Sequence, residues 1–198
     1  MHLKPMQQGR LDGLCGVYSV INAARLAIWP AQRLTRESCR ELFGLLAAEL
    51  ADRAKLLDVL TGGSRHRLVS ILLREADGWL RDVYDISLHY RRPYRGQPSI
   101  SQAVIAATLA RHLAAGHASA IAGLTGSIEH WTVVRAVTPK TMLLFDSDDL
   151  KRLLLDPRRR GWTPIEIAAT DLFLIRCERP KLAGRRSPSG RIRSRRRS

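Results

Sequence analysis

The sequence predicts an α+β fold in which an N-terminal helical part packs against a C-terminal, mostly antiparallel β-sheet. Three observations carry that expectation. Apolar residues recur at three- and four-residue spacing from Cys15 to about Gly78, the period of helices. From Tyr84 onward they alternate with polar residues or gather in short runs between turn residues, the pattern of strands. Beyond Glu178 neither pattern persists.

Cys15 to about Trp29 has helical character, and Pro30 ends it because proline cannot continue a helix. Thr35 is placed to cap a second helix whose Cys39, Leu42, Phe43, Leu46, Ala47 and Leu50 share a face. That pattern runs on through Leu56, Leu57 and Leu60 and stops at Gly62-Gly63. Ser64 is expected to cap a third helix carrying Leu68, Val69, Leu72 and Leu73, closing near Gly78. Tyr84, Ile86, Leu88 and Tyr90 alternate with polar residues, which predicts a half-buried strand. Ser101 opens a further helix to about Ala115, with Gly116 in the position past its end. Three apolar runs follow: SAIAGL (119–124), HWTVVRAV (130–137) and TMLLF (141–145). Turns at Thr125-Gly126-Ser127 and Thr138-Pro139-Lys140 separate them, and a last strand is expected over about 171–177.

At 198 residues, 45% hydrophobic and 26% charged, the chain has room for one globular domain, expected over 1–178. No apolar run approaches the roughly 18 to 20 residues of a membrane span, and the first residues lack the apolar stretch of a secretory signal. A cytoplasmic location is the expectation, with export by a non-classical route left open. The formal net charge of +15 suggests a nucleic-acid binder until its distribution is read. Residues 179–198 hold nine Lys or Arg and no acid, leaving 24 bases against 18 acids, or +6, on the first 178. The basicity is a property of this Arg-rich tail, for which disorder is expected. Nonspecific contact with nucleic acid or an acidic surface is the partner that such a tail suggests. It carries no aromatic to stack on bases, so sequence-specific RNA recognition is not expected.

Cys15, Cys39 and Cys177 are too few and too scattered for a disulfide framework, and no pair has the spacing of a zinc or redox motif. An odd number fits a reducing compartment in which one thiol does chemistry and the others pack as small hydrophobes. Cys15 is the candidate nucleophile. It stands between Gly13 and Gly16 at the first turn of an apolar helix, where unpaired N–H groups and the helix dipole favour a thiolate. The glycines are expected to permit a tight turn and the approach of a substrate carbonyl. The Cys15 backbone N–H and an upstream side-chain amide, Gln8 or Gln7, are candidate oxyanion donors. His130 opens the strand HWTVVRAV, a fixed position suited to a base. Asp146 directly ends the next apolar run. If 130–137 and 141–146 form a hairpin, it becomes the neighbour that fixes the His130 tautomer; Asp148 and Asp149 follow closely and leave the choice of acid open.

A glutamine, then Cys-Gly opening a helix, then His and Asp on adjacent strands in that order resembles the papain-like cysteine peptidases. The pattern is most similar to their compact bacterial C39-like branch, the bacteriocin leader peptidases. The resemblance covers about residues 7–25 and 118–146 and leaves the helices over 35–77 unexplained. It implies that Cys15 attacks an amide or thioester carbonyl, with His130 as base and then acid, Asp146 orienting it and Gln8 donating to the oxyanion. A peptide or protein substrate is implied, cleaved at a peptide or isopeptide bond; deamidation or acyl transfer by the same triad, and an inactive binding module with a nucleic-acid-binding tail, are the alternatives. No cofactor is implied. The remaining candidates have plainer readings. His112 and His117 lie five apart with no cysteine or paired acid to complete a metal site, and His66 and His89 sit among arginines as solvated surface. Trp131 reads as a wall of the site or as core, Asp12 as a turn residue, and Ser19 lacks the context of a serine nucleophile.

Overall fold

A computed structural model of the chain describes residues 3–8, 13–29, 31–53, 56–155 and 164–179. The expectations for Asp12 and for the tail from Pro180 onward lie outside these residues. Helix α1 (Cys15–Ile28) is apolar on nearly every side, and Val17, Val20, Ile21, Ala23, Ala24 and Ala27 are all fully buried. A helix with that pattern belongs at the centre of a domain, and α1 is flanked by helices on one side and the sheet on the other. Helix α2 (Arg36–Asp52) begins where Thr35 caps it, its hydroxyl accepting from the Ser38 N–H at 3.1 Å. The expected continuation is instead a separate short helix, α3 (Leu56–Gly62). The break returns Val59 to the core and sets the Val59 and Leu60 carbonyls beside Gly13.

Helix α4 (His66–Tyr84) departs from expectation at both ends. Its N-cap residue is Arg65 and not Ser64, no side chain caps it, and the Ser64 carbonyl accepts from the Trp131 indole N–H. It runs past Gly78 because Ala76, Trp79 and Leu80 extend its buried face, and their burial outweighs the roughly 1 kcal/mol that a mid-helix glycine costs. Asp85, in the left-handed region at φ 54°, closes it. Tyr84 is therefore helical, its hydroxyl bonded to the Ser38 hydroxyl at 2.6 Å, and strand β1 (Ser87–Arg91) begins later than the alternation implied.

Helix α5 (Gln102–Leu113) is capped by Ser101, as its sequence suggests. Strands β2 (Ala118–Thr125), β3 (His130–Val137), β4 (Thr141–Leu144), β5 (Arg152–Leu154) and β6 (Glu166–Glu178) complete a six-stranded sheet of order β1-β6-β2-β3-β4-β5. Every pairing in it is antiparallel. Helices cover both faces. Ile121, Val133, Phe173 and Ile175 pack toward α1, α2 and α4, while Ala120, Ala122, Leu124, Val134, Leu172 and Leu174 pack toward α5. A sheet buried on two sides reads as continuous apolar runs, which is why β2 and β3 lack alternation.

His112 joins α5 to the sheet. Its Nε2 lies 3.1 Å from the Ser119 carbonyl and 2.9 Å from that of Ile175, and burial holds its pKa below the usual histidine value. Among the described residues no helix is long and apolar enough to cross a membrane.

Candidate active site

Cys15 is the first residue of α1, and packing rather than substrate access explains the glycines beside it. Gly13 donates its N–H to the Leu60 carbonyl at 3.2 Å, and a Cβ on Gly13 would stand 2.3 Å from the Val59 oxygen. A Cβ on Gly16 would stand 2.6 Å from the Ser64 hydroxyl oxygen. Any side chain at either position would push the helix that Cys15 begins away from α3 and Ser64.

His130 is the first residue of β3. Strands β3 and β4 form a hairpin whose turn is closed by the Thr138 N–H donating to the Thr141 carbonyl at 2.8 Å. Beyond the last ladder pair, Val134 with Leu144, the Phe145 N–H donates to the Val133 carbonyl at 2.8 Å. The hairpin thus continues to Asp146, and His130 Nε2 lies 2.8 Å from Asp146 Oδ2. The second carboxylate oxygen accepts from the backbone N–H groups of Asp148 at 2.8 Å and Leu150 at 3.2 Å. Asp148 and Asp149 are exposed, and neither takes the place beside His130.

Burial disfavours a charged His130, but bonding and charge from Asp146 and Cys15 outweigh it and push its pKa up to about 10. Burial also raises the Asp146 carboxyl, yet its bond to His130 holds it below the usual carboxylate range. With Nε2 committed to Asp146, Nδ1 is the ring nitrogen left for the Cys15 thiol. Cys15 and His130 line one cleft of about 670 Å³. Its walls include the Gly62–His66 segment, the end of β2 at Gly123–Thr125, and Ala168 and Asp171 of β6. The other cysteines are placed differently: burial raises the thiol pKa of Cys39 and pushes that of Cys177 up to about 12.

Gln8 lines the same cleft. Its N–H donates to the Ser147 carbonyl at 3.1 Å, and its side-chain Oε1 accepts from the Ser147 hydroxyl at 3.2 Å. The amide NH₂ is therefore the group left to serve the cleft. Gln7 is exposed, and its amide reaches the Asp146 carbonyl at 3.4 Å. Trp131 combines both of its sequence readings: it lines the cleft, and its ring packs on Phe173 with centroids 5.9 Å apart.

The sequence reading missed two cleft residues. His66, taken as solvated surface, faces Asp171, with Nδ1 and Oδ1 3.3 Å apart. Asp171 was read only as the start of a strand; nothing local marks either residue, because the fold brings them together across 105 positions. Among the described residues no group of three or more His, Cys, Asp or Glu is placed to hold a metal ion. Comparison with protein-family models and with curated proteins finds no match to this chain.

Proposed function

We propose that this chain is a papain-like cysteine hydrolase that cleaves a peptide or isopeptide bond through an acyl-thioester on Cys15. The observation that carries the reading is the pairing of His130 Nε2 with buried Asp146 at 2.8 Å in the cleft that holds Cys15 at a helix start. Asp146 fixes the proton on Nε2 and leaves Nδ1 to receive one.

The steps follow from that arrangement. The Cys15 proton passes first to His130 Nδ1, whose pKa of about 10 keeps the ring charged at neutral pH, and the Cys15 thiolate then attacks the substrate carbonyl carbon. The carbonyl oxygen becomes an oxyanion, with the Cys15 backbone N–H and the Gln8 side-chain amide as its donors. The C–N bond breaks as His130 returns the proton to the leaving amine, and the acyl group stays on sulfur as a thioester. Water, deprotonated by His130, then attacks the thioester and releases the acid and the thiol.

Reaction with iodoacetamide tests the reading without a known substrate. Labelling read by mass spectrometry is expected at Cys15 well before Cys39 and Cys177, and is expected to slow in His130→Ala. Equal labelling of all three cysteines in the folded chain would overturn it.

A further inference from the structure

We infer that Asp171 is a specificity-determining residue that selects substrates with a cationic side chain close to the bond Cys15 attacks, an inference that rests on the hydrolase reading above. The case begins with the sheet. In the β2–β6 ladder Ala122 pairs with Leu172 and Leu124 with Ile167, so Gly123 alone spans the four β6 residues from Ala168 to Asp171. Such a bulge re-aims side chains, and here both Ala168 and Asp171 line the cleft. The partner strand makes room for it: a Cβ on Gly123 would stand 2.7 Å from the Asp171 Cβ. Arg92 anchors the bulge by donating from its guanidinium to the Thr170 carbonyl.

The carboxylate this device delivers is only partly engaged. Oδ1 faces His66 Nδ1 at 3.3 Å, and Oδ2 has no partner among the described residues. The two side chains are 39% and 29% exposed, and an ion pair that open contributes little to stability. Holding α4 to β6 therefore does not account for the bulge, the glycine and the aspartate together. Charge points the same way. Apart from the Cys15–His130 pair, the ionisable groups lining the cleft are Arg65 and His66 against Glu129, Asp148 and Asp171. A cleft with three carboxylates and one guanidinium attracts cations. A lysine ammonium or arginine guanidinium takes Oδ2 while His66 keeps Oδ1 in place.

The test uses the full chain and peptidyl acyloxymethyl ketones that alkylate Cys15, identical except for Lys, Ala or Glu at each of the three residues preceding the reactive carbon. The Lys probe should react faster than the Glu probe at one position by on the order of ten-fold, since attraction replaces repulsion, and added salt should shrink the ratio. Asp171→Asn should bring the ratio close to one, and Asp171→Lys should invert it. Gly123→Ala, which displaces Asp171 without removing it, should also reduce it and serves if the other variants do not fold. A ratio near one in the native chain at all three positions, or a ratio unchanged by Asp171→Asn, would overturn the inference. If iodoacetamide still singles out Cys15 in that case, the hydrolase reading survives alone. If iodoacetamide does not single out Cys15, both fall.

Discussion

Replacing Asp146 with Asn separates the charge of this residue from its shape. Oδ1 of the native carboxylate accepts from the Asp148 and Leu150 N–H groups, and the asparagine carbonyl can keep both bonds. Its NH₂ then faces His130 Nε2, where a carboxylate oxygen accepted at 2.8 Å. Nε2 must become an acceptor, so the ring proton moves to Nδ1, the nitrogen left for Cys15. A ring already protonated at Nδ1 has no lone pair on that nitrogen to take the Cys15 proton. The magnitude follows from the His130 pKa, which stands at about 10 against an ordinary 6.5 although burial acts to lower it. Without the carboxylate, the value should fall toward 6.5, at most about 5 kcal/mol less preference for the charged ring, since Cys15 supplies part of the upward shift. NMR titration of the His130 ring reads this directly, with a midpoint near 10 in the native chain and one displaced toward 6.5 in Asp146→Asn. Alkylation of Cys15 at neutral pH should slow by roughly 10²- to 10⁴-fold, the contribution of a positioned base. A midpoint that stays near 10 in the variant, or an alkylation rate that does not change, would refute the reasoning.

The same pair sets a pH dependence of stability. A raised His130 pKa contributes stability that is complete below 6.5 and is lost as pH rises through about 10. A lowered Asp146 pKa contributes stability that is present above 3.8 and is lost as pH falls through the folded value. The Tm difference between the native chain and Asp146→Asn should therefore be greatest between pH 3.8 and 6.5 and narrow on both sides; buried His112, which acts oppositely below 6.5, cancels in that difference. Gln8→Ala should lower kcat for peptide hydrolysis by roughly 10²- to 10³-fold, the loss of one oxyanion donor, while iodoacetamide labelling, which forms no oxyanion, changes far less. Gly16→Ala forces a Cβ to 2.6 Å from the Ser64 oxygen, and calorimetry should show a loss of about 1 to 3 kcal/mol together with slower Cys15 labelling.

What the sequence made legible was whatever is written locally. The caps at Thr35 and Ser101 sit where short-range hydrogen bonding puts them, and the turn at 138–140 is closed by Thr138 itself. That turn explains why a hairpin bringing His130 beside Asp146 was expected, while the choice among Asp146, Asp148 and Asp149 stayed open until the carboxylates were placed. Misreadings arose where distant packing decides. Gly78 reads as a helix end, but Trp79 and Leu80 beyond it have a core to fill. Strand β5 has one buried residue in three, too little pattern to register, and β6 extends back to Glu166 because it pairs with the end of β2. The glycines around Cys15 looked like concessions to substrate; their neighbours Val59, Leu60 and Ser64 lie more than forty positions away and leave no local trace.

Those distant neighbours also answer how Cys15 and His130, on separate elements, keep their spacing. Apolar packing of α1 on the sheet through residues such as Ile21, Val133 and Phe173 fixes the distance between layers but resists sliding along the helix axis only weakly. Directional contacts fix that slide from two sides. On one side the Trp131 indole, next to His130, donates at 2.6 Å to the carbonyl of Ser64, which abuts Gly16, next to Cys15. On the other side Gln8 exchanges two hydrogen bonds with Ser147, next to Asp146. Cys15, His130 and Asp146 thus each have an immediate chain neighbour, Gly16, Trp131 or Ser147, in a contact that crosses between elements. Helix α3 and the Gly62–His66 segment, which the family resemblance left unexplained, set the position of Cys15 and form one wall of the cleft.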